Sequence, residues 1–101
     1  MADRQPAGDP PDLFHRLEAE LQAAREELSR QSVEVVTGEG EVRIVMSGTQ
    51  VCERVSIQVA GVASDPARRI EVLVQQAMNQ AIQESQELAA RRLRPIQGGD
   101  G

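Results

Sequence analysis

Between Pro66 and Pro95 the chain contains neither proline nor glycine, and this unbroken stretch constrains the fold more than any other feature. Ser64-Asp65-Pro66 opens it with a capping residue followed by a proline suited to the first helical position. Ile70, Val72, Leu73, Val74, Ala77, Met78, Ala81 and Ile82 crowd its first half, whereas only Leu88, Ala89 and Leu93 continue the apolar pattern in the second. The pattern predicts a helix from residue 66 to about Arg94, stopped by Pro95 and the Gly98-Gly99-Asp100-Gly101 end. At 1.5 Å per residue it would be roughly 40 Å long. Its apolar half should lie on a sheet, and its thinner half should project past it.

A second helix is predicted at residues 12–31, roughly 30 Å long. Asp9 or Asp12 supplies the cap, with prolines in the first turn. Phe14, Leu17, Leu21, Ala24 and Leu28 are spaced alternately three and four apart, a seam narrower than an ordinary core-facing stripe. Such a seam suits packing against one other helix.

Three strand signals separate the helices. Residues 32–37 carry Val33, Val35 and Val36, followed by a Gly38-Glu39-Gly40 turn. Residues 41–47 alternate, with Val42, Ile44 and Met46 on one face and Arg43, Val45 and Ser47 on the other. After Gly48-Thr49-Gln50, residues 51–59 put Val51, Val55, Ile57 and Val59 on one face and Glu53 opposite. The predicted fold is α+β: helix, three-stranded antiparallel meander, helix. Strands this short span only about 20–25 Å, so both helices overhang the sheet and their distal ends project from it together. Residues 1–11, with Pro6, Gly8, Pro10 and Pro11, read as a disordered arm; 12–94 form the domain; 95–101 read as a disordered tail.

A chain of 101 residues makes one small domain, and its only aromatic residue is Phe14. A core built without large rings removes less area from water, which favours adding a partner's surface. Oligomerisation is therefore favoured, and two such overhangs from a dimer would make a pair of arms. The single cysteine excludes a disulfide framework, and one histidine cannot build a metal site. No metal or other cofactor is expected. No apolar run approaches the roughly 18 residues of a membrane span, and the N-terminus lacks the basic and apolar segments of a signal peptide. These features point to the cytoplasm, with no membrane partner. No nucleophile, base and orienting group fall into an arrangement that would hold a small-molecule substrate, so enzymatic activity is not expected.

The net charge of −5 weighs against a nucleic-acid partner, and all 11 cations are arginines. Arg91, Arg92 and Arg94 form the one basic cluster. It either complements the dipole at a helix C-terminus or reaches phosphate. Arg16, beside His15, lies in the first turns of helix 1, where positive charge opposes the dipole. Antiparallel packing of the helices would bring it close to that cluster. Arg25 and Arg30 interleave with Glu26 and Glu27, and Arg68 and Arg69 have Asp65 and Glu71 at hand. Cys52 reads as a small packed side chain.

Gly48-Thr49-Gln50-Val51-Cys52-Glu53-Arg54-Val55-Ser56-Ile57 follows the pattern G-x-x-x-C-x-R-V-x-I. Upstream lies Val36-Thr37-Gly38-Glu39-Gly40. Downstream, Leu73-Val74-Gln75-Gln76-Ala77-Met78-Asn79-Gln80-Ala81 is similar to an L-x-x-A-x-N-D-A helix segment, with Gln80 in place of the Asp. Taken in order over about residues 13–93, these segments resemble the YbaB/EbfC family of bacterial nucleoid-associated proteins. The resemblance implies a dimer with a shared sheet and helical arms, binding duplex DNA with little sequence preference and without catalysis. On that reading Arg16, Arg91, Arg92 and Arg94 are the DNA-binding candidates and the nucleoid is the location. The chain departs from the family in its acidic turn, with Glu39 and Glu41, and in an N-terminal arm without lysine. The alternative is a dimeric protein-interaction or scaffold module of the same fold, without significant DNA binding.

Overall fold

The computed structural model describes residues 10–59 and 64–96. Most of the arm expected at 1–11 falls outside them, as do Asp9 as a cap and most of the tail at 95–101. Helix α1 spans Pro10–Arg30, strands β1, β2 and β3 span Ser32–Thr37, Val42–Ser47 and Cys52–Ile57, and helix α2 spans Pro66–Leu93. The strands form one antiparallel sheet in the order β1-β2-β3. Helix α1 starts two residues before the sequence-based boundary, which puts Asp12 inside the first turn. The start of α2 matches expectation: Asp65 is the cap, its Oδ1 accepting from the Arg68 backbone N–H at 3.2 Å, and Pro66 follows it.

One face of the sheet carries the core. Val35 from β1 and Val42, Ile44 and Met46 from β2 are buried against Leu73, Ala77 and Ala81 of α2. These helix residues recur every four positions, and Ser85 extends the row. The two alanines are fully buried, so the helix backbone approaches the strands closely. Helix α2 covers β1 and β2 but has little contact with β3.

Strand β3 departs from strict alternation. Val45 faces Arg54 and Met46 faces Cys52, which leaves Glu53 as the extra residue of a bulge. Directly opposed residues share a face, so Cys52, not Val51, joins Val55 and Ile57 on the core side. Among the described residues no helix lies over them: Val55 and Ile57 are each 46% exposed, and Cys52 is exposed instead of packed.

Two polar junctions hold the helices to the sheet. At the start of α2, Glu41 is only 5% exposed and accepts from Arg69 Nε and Nη2, both at 2.7 Å, and from the Glu39 backbone N–H at 3.2 Å. Arg69 thus pairs across the fold with Glu41 and not with Asp65 or Glu71. Gly38, at φ +66°, makes room for this: a Cβ there would strike the Glu41 carboxylate and lie 2.8 Å from Leu73 Cδ1. Thr37 Oγ1 donates to the Leu73 carbonyl at 2.9 Å beside it.

The hydrogen bonds from Arg69 hold the Glu41 carboxyl below its ordinary value. A depressed carboxylate contributes stability that is fully present above its unfolded pKa of about 4.3 and is lost as pH falls through the lower folded value. Thermal unfolding followed from neutral pH to pH 3 should therefore show the wild type losing more of its melting temperature on acidification than Glu41→Gln does. Equal acid limbs would show that this pair contributes nothing.

The second junction lies at the β2–β3 turn. Ser85 is completely buried; its hydroxyl donates to the Ser47 carbonyl at 2.6 Å and accepts from Gln50 Nε2 at 2.8 Å. The Gly48 N–H donates to the carbonyls of Leu28 and Gln31, both at 3.0 Å, where α1 ends. A Cβ at Gly48 would lie 2.8 Å from the Leu28 carbonyl oxygen, so only glycine lets the turn approach α1 this closely. One turn thus joins both helices to the sheet.

Candidate nucleic-acid interface

The molecule is elongated, 79 × 25 × 15 Å, and α2 alone, 28 residues at 1.5 Å each, is roughly 42 Å long. Helix α2 leaves the sheet after Ser85, and the part beyond carries Leu88, Ala89, Arg91, Arg92 and Leu93. The Arg94 N–H closes the last turn on the Ala90 carbonyl at 3.0 Å. Helix α1 runs back alongside this segment, with Ala24 and Leu28 buried.

The three clustered arginines differ. Arg92 Nε donates to Glu27 Oε1 of α1 at 2.7 Å, with both side chains about 40% exposed, so much of its charge is neutralised within the fold. Arg91 and Arg94 are exposed and have no ion-pair partner among the described residues. Two guanidinium groups therefore project to solvent from a helix end that the dipole already makes favourable for cations.

Arg16 is not part of this group. It lies eleven residues before Glu27 on α1, roughly 16 Å along the axis at 1.5 Å per residue. The helices are antiparallel, as the sequence implies, and the contact falls on the last third of α1, where Ala24 and Leu28 are buried and Glu27 takes Arg92. Arg16 is exposed on an α1 segment that has already outrun its neighbour. Its surroundings are acidic, with Glu18 and Glu20 on the next turns. The arginine cluster and Arg16 are therefore two separate positive centres.

Composition alone does not reveal the Arg92–Glu27 pair, since the partners are 65 positions apart. The one available signal is the acidic pair Glu26-Glu27, which local spacing matches with Arg25 and Arg30 on its own helix. On the open face of the sheet, Arg43 likewise pairs across strands with Glu34. Among the described residues no cluster of histidine, cysteine, aspartate or glutamate is fit to hold a metal ion, and no helix is long and apolar enough to cross a membrane.

A model of the YbaB/EbfC DNA-binding family matches residues 12–100. The chain belongs to that family. Among the relatives of this YbaB/EbfC protein, a nucleoid-associated protein of Thermoanaerobacter sp. strain X514 is 32% identical over 84 residues, covering 83% of this chain and 76% of the relative. One from Desulforamulus reducens is 34% identical over 74 residues, covering 73% and 70%. One from Chloroflexus aurantiacus is 29% identical over 87 residues, covering 86% and 87%. The fold is shared with an uncharacterized protein of Helicobacter pylori, at a TM-score of 0.74 and 12% identity over 87% of this chain and 92% of that one.

Proposed function

We propose that this YbaB/EbfC protein is a non-enzymatic homodimer of the bacterial cytoplasm that binds duplex DNA in the nucleoid with little sequence preference. Arg91 and Arg94 at the end of α2 make the principal phosphate contacts, Arg92 assists when released from Glu27, and Arg16 adds a separate contact. The observation that carries this reading is the pair of exposed, unpartnered guanidinium groups on a helix end that overhangs the sheet. Such groups fit phosphate oxygens, contacts that position a protein on the duplex without reading its sequence.

The dimer is inferred from the uncovered half of the sheet. Val55 and Ile57 share the core face but lack a helix, Val59 follows them 61% exposed, and Val72 of α2 is exposed as well. Strand β3 also has an unpaired edge, an arrangement that invites a second copy. Full burial of a Val or Ile side chain is worth roughly 1.5–3 kcal/mol, so a partner over these residues stabilises both copies.

Two such copies would present paired arginine clusters, and binding would release counterions from DNA. The expected log–log salt slope is steeper than about −3, since each phosphate contact contributes roughly −0.9. Replacing Arg91, Arg92 and Arg94 with alanine should flatten that slope and weaken binding on every sequence alike. A mobility shift that stays absent at low salt overturns the reading. The net charge of −5 and the acidic flank of α1 favour a second reading, a dimeric interaction module of the same fold that does not bind DNA. Absence of any DNA shift together with an intact dimer would select it.

A further inference from the structure

The outer half of α1 carries an apolar stripe that no described element fully covers. Leu13 is 52% exposed, Phe14 59% and Leu17 39%, and Leu21 is half-buried. The stripe repeats, one heptad outward, the seam with which α1 holds α2. Leu17, Glu20 and Leu21 stand seven residues before Ala24, Glu27 and Leu28. In the inner heptad, Ala24 and Leu28 are buried and Glu27 takes the guanidinium of Arg92. In the outer heptad the same positions are present, but α2 has ended. Glu18 and Glu20 flank the stripe, and neither has an ion-pair partner among the described residues. A shallow groove lined by Glu18, Leu21, Gln22 and Arg25 runs beside it.

We propose that this outer heptad is a docking site for an amphipathic helix of a partner protein, with aliphatic residues on its seam and Arg or Lys at its flanks. The pattern on α1 is that of half a coiled coil, and the Glu27–Arg92 pair shows which sign of charge its acidic flank accepts. Duplex DNA is a poor occupant of the stripe itself, because the two flanking carboxylates repel phosphate; Arg16 lies off the heptad seam, on another face of the helix. The same stripe of a second copy, laid antiparallel, is also poor. It would set Leu17 against Leu21 and crowd Glu18 and Glu20 of both copies into one short contact. A basic helix meets neither obstacle. The inference holds whether or not the chain binds DNA.

The test uses the full chain and two synthetic three-heptad peptides, with Leu at the seam positions and either Arg or Glu at both flanks, read by fluorescence anisotropy. The Arg peptide should bind saturably, and the Glu peptide about tenfold more weakly or not at all. Replacing Glu18 and Glu20 together with arginine should invert that preference. Leu17→Glu should remove binding of the Arg peptide although it adds negative charge, which separates seam packing from diffuse attraction. Leu17 is outside the core, so circular dichroism should report an unchanged fold. Failure of the Arg peptide to bind, or equal affinity for both peptides, overturns the proposal. So does a mass above the dimer in light scattering that Leu17→Glu abolishes, because the occupant is then a second copy.

Discussion

A chain carrying Val55→Asp and Ile57→Asp together is expected to run as a monomer of 11.0 kDa, and the wild type, as the proposed dimer, at twice that mass. Both side chains stand on the core face of β3, opposite Ile44 and Val42, and among the described residues neither has a helix over it. Within the protomer the substitution is tolerated, because each carboxylate points to water. In the dimer it would place two unpaired charges from each copy in an apolar contact, and burying an uncompensated charge costs several kcal/mol after relaxation. DNA affinity should fall by about tenfold or more, since two linked arginine clusters bind with an effective concentration that one cluster lacks. The salt slope should roughly halve, because each particle then neutralises half as many phosphates. Size-exclusion chromatography with light scattering reads the first outcome and a mobility shift at two salt concentrations reads the others. An unchanged mass for the double variant would remove β3 as the interface.

Leu28→Ala should act locally, and its effect should be large. Among the described residues, Ala24 and Leu28 are the only fully buried side chains of α1, and Leu28 also packs against Gly48 at the β2–β3 turn. Truncating a buried leucine typically costs 2–5 kcal/mol, and here the loss falls on the docking of one helix to the rest. The sheet and α2 keep Val35, Val42, Ile44, Leu73, Ala77 and Ala81 in place without it. Hydrogen exchange should therefore accelerate across α1 by about two orders of magnitude or more, while the β2 amides keep much of their protection. Uniform acceleration through sheet and helix alike would show that α1 and the core unfold as one unit.

These two variants also separate what could be read locally from what could not. Strand β1 at Ser32–Thr37 and the start of α2 at Asp65-Pro66 follow from residues adjacent in the chain. β-Branched residues at alternate positions and a proline after a capping side chain carry their own structural meaning. The overhang of the helices is likewise a matter of arithmetic on residue counts. The family was legible for a related reason, since its segments are short and lie in order. The site was legible only in part: Arg91, Arg92 and Arg94 stood out as the one basic cluster, but nothing local revealed that Arg92 is already paired.

The sequence by itself determined the α+β class, the order of elements, the approximate bounds of each and the apolar face of β2. Tertiary structure alone decided that α2 shelters two strands and not three, that Glu53 forms a bulge bringing Cys52 onto the core side, and that Arg69 reaches Glu41. It also decided that Arg92 reaches Glu27 and that Arg16 stands apart from the other arginines. The physical reason is the range of the interactions involved. Periodicity, capping and turn chemistry act within a few residues. A carboxylate chooses among several arginines, and a helix end finds its level on a neighbour, only through packing between segments tens of residues apart, whose relative placement is set by the whole core.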